Sequence, residues 1–391
     1  MSQLLRSRFQ KSGPKRILAL DGGGIRGAIT LGFLQRMEDL LRNQHQNDQM
    51  LLCDYFDLIG GTSTGSIIAT LLALGYDVET IRKLYLQLGN DIFGQQNSVW
   101  NPLDWSEYLS ADFDATPLEN SLHKILEDRT LGSDDLRTGL CIVAKRADTF
   151  STWPMFNNPD AAFYEPLPDS KGMGNKDYLL RDIIRASTAA PAYFKPQLLD
   201  LGDQQAAFVD GGVSMANNPA WQLFLMATAD GYKLKWEASP ENLMIVSVGT
   251  GAYTKATTAH EIGHFNKLSW AKSIADFFME DASWQNQTIL QLLGETPTPF
   301  KIDSEIGNLV SDHIGGKKWL YYVRYNAWLQ YPKDKEEMAK YSKIKALFSQ
   351  EDLIDMREMS NAKRAKDMAL LGDFYADIDV LPEHFPERFR V

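Results

Sequence analysis

A repeated unit constrains the fold of this chain more than any other feature: an apolar strand, a glycine-rich turn and an apolar helix. The first copy has an apolar run at 16–20, then three glycines, then apolar side chains at helical spacing over 29–41. The second has an apolar run at 55–59, the stretch GGTSTG at 60–65 and an apolar helix over 66–74. Because no hairpin signal separates the copies, they predict an α/β fold whose mostly parallel central sheet is flanked by helices on both faces.

Apolar patterns in the rest of the chain predict further strands and helices, with most of the helices in the C-terminal part. Further apolar runs predict strands at 140–144, 208–210, 244–248 and 319–325, and helical spacing predicts helices over 182–190, 271–293 and 334–371. Residues 90–116 place aromatic side chains among Gly, Pro, Asn and Asp without a period, which predicts a long loop. We therefore expect an N-terminal arm (1–13), a catalytic domain (14–255) and a mainly helical C-terminal extension (256–391) packed on that domain.

Charge and composition exclude several classes of protein. The formal net charge of -11 argues against a nucleic-acid binder and against a polybasic membrane anchor. Cys53 and Cys141 are the only cysteines and lie in apolar stretches, which predicts buried free thiols. The N-terminal stretch lacks the apolar core of a secretory signal, and the longest apolar run, 67–74, is too short to span a bilayer. We expect a cytoplasmic protein whose contact with membranes is peripheral.

The second glycine turn matches the pattern G-x-S-x-G, with Ser63 between Gly61 and Gly65. A serine at a sharp turn from strand to helix adopts strained backbone angles, and its neighbours two positions away must be small. The strain directs the hydroxyl out of the turn, at the positive end of the following helix. Ser63 is therefore a candidate nucleophile.

The first glycine turn, residues 22–27, has two possible uses. Read as G-x-G-x-x-G, it suits a dinucleotide phosphate, but that fingerprint requires an acidic residue at the end of the next strand. The next predicted strand ends in GGTSTG instead. The other use is an oxyanion hole, since backbone N–H groups in a turn at the same sheet edge as Ser63 can stabilise the charge of a tetrahedral intermediate.

A nucleophilic serine also needs a base. The six histidines all lie outside glycine-flanked strand ends: His45, His123, His260, His264, His313 and His384. Asp210, in contrast, ends a short apolar run and precedes Gly211 and Gly212. From the residues alone, a Ser-Asp pair and a Ser-His-Asp triad using His260, His264 or His313 both remain open.

Three motifs in this order, DGGGIRG at 21–27, GTSTG at 61–65 and DGG at 210–212, resemble those of the patatin-like phospholipases. RASTAAPAYF at 185–194 also resembles the family, and the resemblance covers roughly residues 14–255. It implies a three-layer α/β/α fold and a dyad of Ser63 and Asp210 that works without histidine. It also implies an oxyanion hole made of the N–H groups of Gly23, Gly24, Ile25 and Arg26. The glycines of the family motifs are Gly22, Gly27, Gly61, Gly65, Gly211 and Gly212.

By the same resemblance the activity is hydrolysis of fatty-acyl esters of phospholipids or related lipids, without a metal or other cofactor. The partners expected are an acyl-lipid substrate, no nucleic acid, and an oligomer or regulatory partner acting through the C-terminal extension. Arg26 is predicted to bind lipid phosphate or to cap nearby carbonyls. Four aromatic residues are predicted to form a hydrophobic rim that enters lipid or to pack ordinarily: Trp100, Trp105, Trp153 and Phe156.

Three other functions remain as alternatives. A carboxylesterase with a Ser-His-Asp triad would lose its activity with a single histidine. A dinucleotide-binding oxidoreductase would be stabilised by its cofactor. A catalytically silent lipid-binding module would be unaffected by Ser63→Ala.

Overall fold

A computed structural model describes residues 2–93, 114–168, 172–191, 193–202, 204–254, 257–332 and 335–391. Within these residues one sheet of nine strands forms the centre of the molecule. The strands are β1 (Lys15–Leu20), β2 (Leu58–Thr62), β3 (Gly139–Arg146), β4 (Ser151–Phe156), β5 (Gln197–Asp200), β6 (Gln205–Asp210), β7 (Leu243–Val248), β8 (Gly294–Glu295) and β9 (Leu320–Tyr325).

The strand order is β5-β6-β3-β2-β1-β7-β9-β8, and β4 also pairs with β3. The pairs β3-β2, β2-β1, β1-β7, β7-β9 and β9-β8 are parallel. The pairs of β3 with β4, β3 with β6 and β5 with β6 are antiparallel. The predicted α/β fold with a mostly parallel sheet is therefore confirmed, with an antiparallel corner at one end.

Helices cover both faces of the sheet, and extra helices follow in the C-terminal part. They are α1 (Ser2–Gln10), α2 (Gly27–His45), α3 (Leu52–Tyr55), α4 (Thr64–Ala73), α5 (Val78–Phe93), α6 (Thr116–Leu126), α7 (Leu180–Ser187), α8 (Ala220–Thr228), α9 (Ala259–Gly263), α10 (Lys267–Leu293), α11 (Lys335–Lys340), α12 (Ser342–Leu347), α13 (Gln350–Asp355) and α14 (Ala365–Asp379).

Two apolar clusters lie on opposite faces of the sheet, because successive side chains of a strand point to opposite sides. Leu18 and Leu20 of β1 belong to the cluster that includes side chains of α2, α4 and α14. Ile17 and Ala19 belong to the cluster that includes side chains of α1, α8 and α10. The central strand is thus buried on both faces, as its unbroken apolar run predicts.

Several predicted elements have different limits in the structure. β2 begins at Leu58 and not at residue 55, because residues 52–55 form the short helix α3. Residues 90–93 of the predicted long loop belong to α5, while residues 94–113 lie outside the described part of the chain. The helix predicted over 334–371 is a series of shorter ones. The predicted strand at 319–325 joins the central sheet as β9, so the C-terminal part contributes to the sheet as well as to its cover.

The predicted hydrophobic rim is wrong for Phe156, which is only 2% exposed and packs in the core against Phe9. Trp153 packs edge-on against Phe208 and beneath the guanidinium of Arg146, so ordinary packing explains it. Trp100 and Trp105 lie outside the described residues. Cys53 and Cys141 are both buried and free, as predicted. In the described part of the chain, no helix combines the length and the apolar character needed to cross a bilayer.

Candidate active site

The ends of two strands meet at the candidate nucleophile. One edge of β3 pairs with β4 through residues 141–146. β2 pairs with residues 139–143 of β3, and β6 pairs with residues 144–146. Both β2 and β6 must therefore lie along the other edge of β3. There Thr62 is the register partner of Val143, and Asp210 is the partner of Ala144. Two strands running in opposite directions therefore end against each other, which brings Asp210 next to Ser63.

Ser63 lies in the tight turn between β2 and α4, with a φ of 54° and a ψ of -125°. This positive φ is strained for a residue other than glycine and is typical of a nucleophile turn. A Cβ atom on Gly61 would collide with the backbone of Gly65, and one on Gly65 would collide with the carbonyl of Leu20. The two glycines are therefore required by the close packing of the turn against itself and against β1.

The hydroxyl of Ser63 donates a hydrogen bond to Asp210 Oδ2 at 2.5 Å, and Gly212 N–H donates to Asp210 Oδ1 at 2.6 Å. Both side chains are buried. Burial raises the pKa of Asp210 to about 6, while the two hydrogen bonds oppose the increase. The carboxylate is thus a stronger base than an ordinary aspartate and is still ionised at neutral pH.

Ser187 supports the backbone of Ser63. Its hydroxyl accepts a hydrogen bond from the N–H of Ser63 at 2.9 Å and donates one to the carbonyl of Val143 at 2.6 Å. Ser187 is fully buried at the end of α7. It therefore joins the strained turn to the strand along which β2 and β6 meet.

The glycine turn after β1 lies directly beside Ser63. A Cβ atom on Gly22 would be 3.1 Å from the Cβ of Ser63. The carbonyl of Gly22 accepts a hydrogen bond from Thr250 Oγ1 at 2.9 Å, and the carbonyl of Gly24 accepts one from Tyr85 OH at 2.6 Å. These contacts fix the path of the turn through its carbonyl groups.

The N–H groups predicted for the oxyanion hole differ in their contacts. Among the described residues, no acceptor contacts the N–H of Gly23 or Gly24. Ile25 N–H donates to the carbonyl of Met359 at 2.8 Å, and Arg26 N–H donates to the carbonyl of Gly23 at 3.3 Å. Within the described residues, the turn therefore contains two N–H groups without a protein acceptor, whereas that of Ile25 is covered by the C-terminal part of the chain.

A buried ion pair precedes this turn. Arg324 of β9 donates to Asp21 through Nη1 at 2.9 Å and through Nη2 at 2.6 Å, and its Nη1 also donates to Ser247 Oγ at 2.7 Å. Burial alone would lower the pKa of Arg324, but the Asp21 carboxylate outweighs burial and raises it. The pair holds the start of the glycine turn against two neighbouring strands.

The structure brings no histidine to Ser63 within the described residues. His264 Nδ1 contacts the carbonyl of His260 at 2.8 Å, and His313 Nδ1 contacts that of Ser311 at 3.5 Å. Among the same residues, no group of three or more His, Cys, Asp or Glu side chains is placed to hold a metal ion. Asp210 is the titratable group that contacts the Ser63 hydroxyl.

Sequence reasoning did not identify the supporting roles of Ser187, Thr250, Tyr85 and Arg324. The role of Arg324 could have been predicted, because a single charged residue inside the apolar run of β9 indicates a buried ion pair. Thr250 follows β7 in a Gly-Thr-Gly stretch, which also indicates a strand-end turn. Nothing local to Ser187 or Tyr85 indicates which backbone group each one contacts.

Comparison with known proteins identifies a family that this chain resembles. The sequence model of the patatin-like phospholipase family matches residues 18–224, which include all three glycine motifs. A cGAMP-activated phospholipase from Escherichia coli is 30% identical over 240 residues, which are 60% of this chain and 62% of that protein. The chain thus matches less than two thirds of that relative's length.

Two further proteins extend the comparison. Patatin-2-Kuras 4 from Solanum tuberosum is 27% identical over 278 residues, which are 66% of this chain and 69% of that protein. Among solved structures, that of VipD from Legionella pneumophila is similar over 92% of this chain and 67% of the VipD chain, with a TM-score of 0.33 and 12% sequence identity. That score is too low to bear on the fold or the chemistry.

Proposed function

Because the chain belongs to the patatin-like phospholipase family, we propose that it is a lipid acyl hydrolase in which Ser63 attacks the ester and Asp210 is the base. Membership of the family supports hydrolysis of lipid esters. The finer proposal is a phospholipase A type of reaction on phospholipids or related lipids. The observation that carries it is the 2.5 Å hydrogen bond from Ser63 Oγ to Asp210 in a buried, strained turn.

In the proposed first step, Ser63 Oγ forms a bond to the acyl carbonyl carbon as its proton passes to Asp210 Oδ2. The ester bond of the tetrahedral intermediate then breaks, and the proton from Asp210 goes to the leaving alkoxide. Ser63 now carries the acyl group. A water molecule attacks this ester, Asp210 accepts its proton, and the proton returns to Ser63 Oγ as the fatty acid leaves.

We assign the oxyanion hole to the N–H groups of Gly23, Gly24, Ile25 and Arg26. The position of Gly22 against the Cβ of Ser63 supports this assignment, because it brings the turn within reach of a carbonyl attacked by that serine. Removal of one such donor typically costs about 2.7 to 4 kcal/mol of transition-state stabilisation. The mechanism uses no metal or other cofactor.

The proposal includes peripheral contact with a lipid surface and a regulatory partner. Helix α10 supports the first, because it exposes large apolar side chains at helical spacing: Trp270, Ile274, Phe277 and Phe278. The name of the Escherichia coli relative, which describes activation by cGAMP, supports the second.

Intact-mass measurement after treatment with an alkyl fluorophosphonate tests the proposed dyad. We expect one adduct in the wild type, none in Ser63→Ala, and much slower formation in Asp210→Asn. Ser304→Ala, which changes an exposed serine, is the matched control and should react like the wild type. Release of fatty acid from phosphatidylcholine vesicles should follow the same order.

An adduct or fatty-acid release that persists in Ser63→Ala would contradict the assignment of the nucleophile. Full activity of Asp210→Asn, together with loss of activity in a variant of His260, His264 or His313, would instead favour the Ser-His-Asp alternative.

A further inference from the structure

Residues 357–361, which belong to the connection between α13 and α14, form a strap over the glycine turn. The carbonyl of Met359 accepts the hydrogen bond from Ile25 N–H at 2.8 Å. Two residues earlier, the carbonyl of Arg357 accepts a hydrogen bond from Arg26 Nη1 at 3.4 Å. Two carbonyl groups of the strap therefore contact two consecutive residues of the assigned oxyanion hole.

A strap carbonyl at an oxyanion donor makes the same kind of contact that a substrate carbonyl would make there. One N–H points along one direction, so Ile25 cannot donate a strong hydrogen bond to Met359 and to a substrate oxygen together. The strap is also close to the neighbouring glycine, because Met359 O lies 2.5 Å from the position of a Cβ on Gly24. The strap thus occupies space beside the donors.

We propose that the strap is an autoinhibitory element, which covers part of the oxyanion hole until it moves aside and admits the lipid ester. This inference rests on the proposed function. It adds that the structure is a closed state of the enzyme and that the rate of acylation depends on the fraction of molecules in which the strap is open.

Both ends of the strap are firmly attached. Before it, Leu353 and Met356 are fully buried. After it, α14 packs closely on α2, where Gly372 leaves no room for a Cβ at Gly32. Arg364, just beyond the strap, forms ion pairs with Asp352, Asp355 and Asp367. Opening therefore involves the middle of the strap and does not require α13 or α14 to leave the core.

The middle of the strap is held by a few contacts near the surface. Arg357 Nε donates to the carbonyl of Leu329 at 3.0 Å, and its guanidinium lies 4.6 Å from the centre of the Tyr253 ring. Glu358 Oε1 accepts a hydrogen bond from Tyr193 OH at 3.2 Å. Segments with few buried contacts open locally at lower free energy than the core, so these contacts set how often the strap opens.

Opening the strap would free two groups at once. It releases the N–H of Ile25 for the oxyanion, and it releases the guanidinium of Arg26 from the carbonyl of Arg357. Arg26 Nε is buried and has no hydrogen-bond partner among the described residues. The freed guanidinium suits the phosphate of a phospholipid, so the donor for the oxyanion and a cation for the head group become accessible together.

The test compares the full-length wild type with Arg357→Ala/Glu358→Ala, which removes the side-chain contacts of the strap. The control is Lys345→Ala/Glu351→Ala, which also removes one cation and one carboxylate, both exposed, from the C-terminal part. We expect labelling of Ser63 by the alkyl fluorophosphonate to be about tenfold faster in the strap variant, since the rate follows the open fraction. The control should match the wild type.

Hydrogen exchange on the wild type gives a second measurement that needs no substitution. In the phosphonylated protein a phosphonyl oxygen takes the place of Met359 at Ile25 N–H, so peptides covering 357–361 should exchange faster than in the free protein. Equal labelling rates in all three proteins, with unchanged exchange in the strap, would overturn the inference and leave the proposed function intact. Absence of labelling in every protein would contradict the proposed function itself.

Discussion

The two sides of the candidate site are supported by different parts of the chain. On the dyad side, Ser63 and Asp210 are held by Ser187, Gly212 and Val143, which all lie within the region that matches the family. On the side of the glycine turn, Tyr85 lies within that region, but three further supports lie beyond residue 224: Thr250, Arg324 and Met359.

This difference indicates that the proposed dyad is positioned by the family region, whereas the glycine turn is also positioned and covered by the C-terminal part of the chain. The proposed nucleophile and base depend on local turns and on one strand junction. The proposed oxyanion donors receive long-range contacts from the C-terminal part, in which Arg324 binds Asp21 at the start of the turn and the strap covers the N–H of Ile25. Perturbations of the two sides should therefore have distinguishable effects.

The largest effect is expected from breaking the buried ion pair on the side of the glycine turn. Arg324→Met leaves the Asp21 carboxylate, which is 5% exposed, without its counter-charge. Breaking a buried pair in this way typically lowers the free energy of unfolding by about 3 to 5 kcal/mol. We also expect a lower kcat with an unchanged apparent pKa, because the dyad is intact. Urea unfolding and steady-state kinetics measure both.

The double variant Asp21→Asn/Arg324→Met should recover most of that stability, because no unpaired charge remains buried. Lys83→Met, which breaks the exposed pair with Glu79, is the control and should leave unfolding unchanged. An Arg324→Met variant as stable and as active as the wild type would show that the glycine turn does not depend on this pair.

A smaller effect, confined to the dyad side, is expected from Ser187→Ala. The substitution leaves the N–H of Ser63 and the carbonyl of Val143 without their partner, and an unsatisfied buried group costs about 1 to 3 kcal/mol. Because the loss is at the nucleophile, we expect kcat to fall about tenfold while KM is unchanged.

Thr138→Val is the matched control for this prediction. It removes a buried hydroxyl that donates to the carbonyl of Phe56 at 2.6 Å, at the opposite end of β3. It should lower stability by a similar amount without lowering kcat. Equal kinetic effects of the two substitutions would show that Ser187 acts only through general stability.

The mildest perturbation is pH, which acts on Asp210. With its pKa raised by burial to about 6, the carboxylate is mostly ionised at pH 7 and mostly protonated at pH 5. We therefore expect kcat/KM to fall about tenfold over that interval. A profile that is flat from pH 7 to pH 5 would contradict Asp210 as the base.

The same titration affects stability in a defined direction. The folded pKa of Asp210 is higher than its unfolded value, so the buried charge destabilises the fold at neutral pH, and this penalty decreases as pH falls from about 6 toward the ordinary aspartate value of 3.8. Asp210→Asn should therefore raise Tm relative to the wild type more at pH 7 than at pH 5. A difference in Tm that is independent of pH would contradict this assignment of the titrating group.

Much of the fold was predictable from local patterns. The apolar runs of β1, β3 and β7 and the helices α2 and α4 lie where the spacing predicts them, since a buried strand and an amphipathic helix are each encoded by nearby residues. β2 was misplaced at its beginning because an apolar run alone does not distinguish a strand from a short helix. The division into three domains stays a prediction.

The sequence by itself determined which residues are candidates for the reactive groups and which turns contain glycine. Ser63, Asp210 and their flanking glycines are evident from the motifs, because the strain and crowding of a tight turn depend on residues a few positions apart. From the sequence, however, we expected these residues to meet because they follow parallel strands that end at the same edge of the sheet.

The tertiary structure decided how those residues meet. β6 runs antiparallel to β3 and ends against β2, so Asp210 reaches Ser63 across a sequence separation of 147 residues. The partnership of Asp21 with Arg324 and the cover of Ile25 by Met359 are equally remote in sequence. The physical reason is that strand direction, register and pairing partner depend on packing between distant segments, which no local pattern of residues specifies.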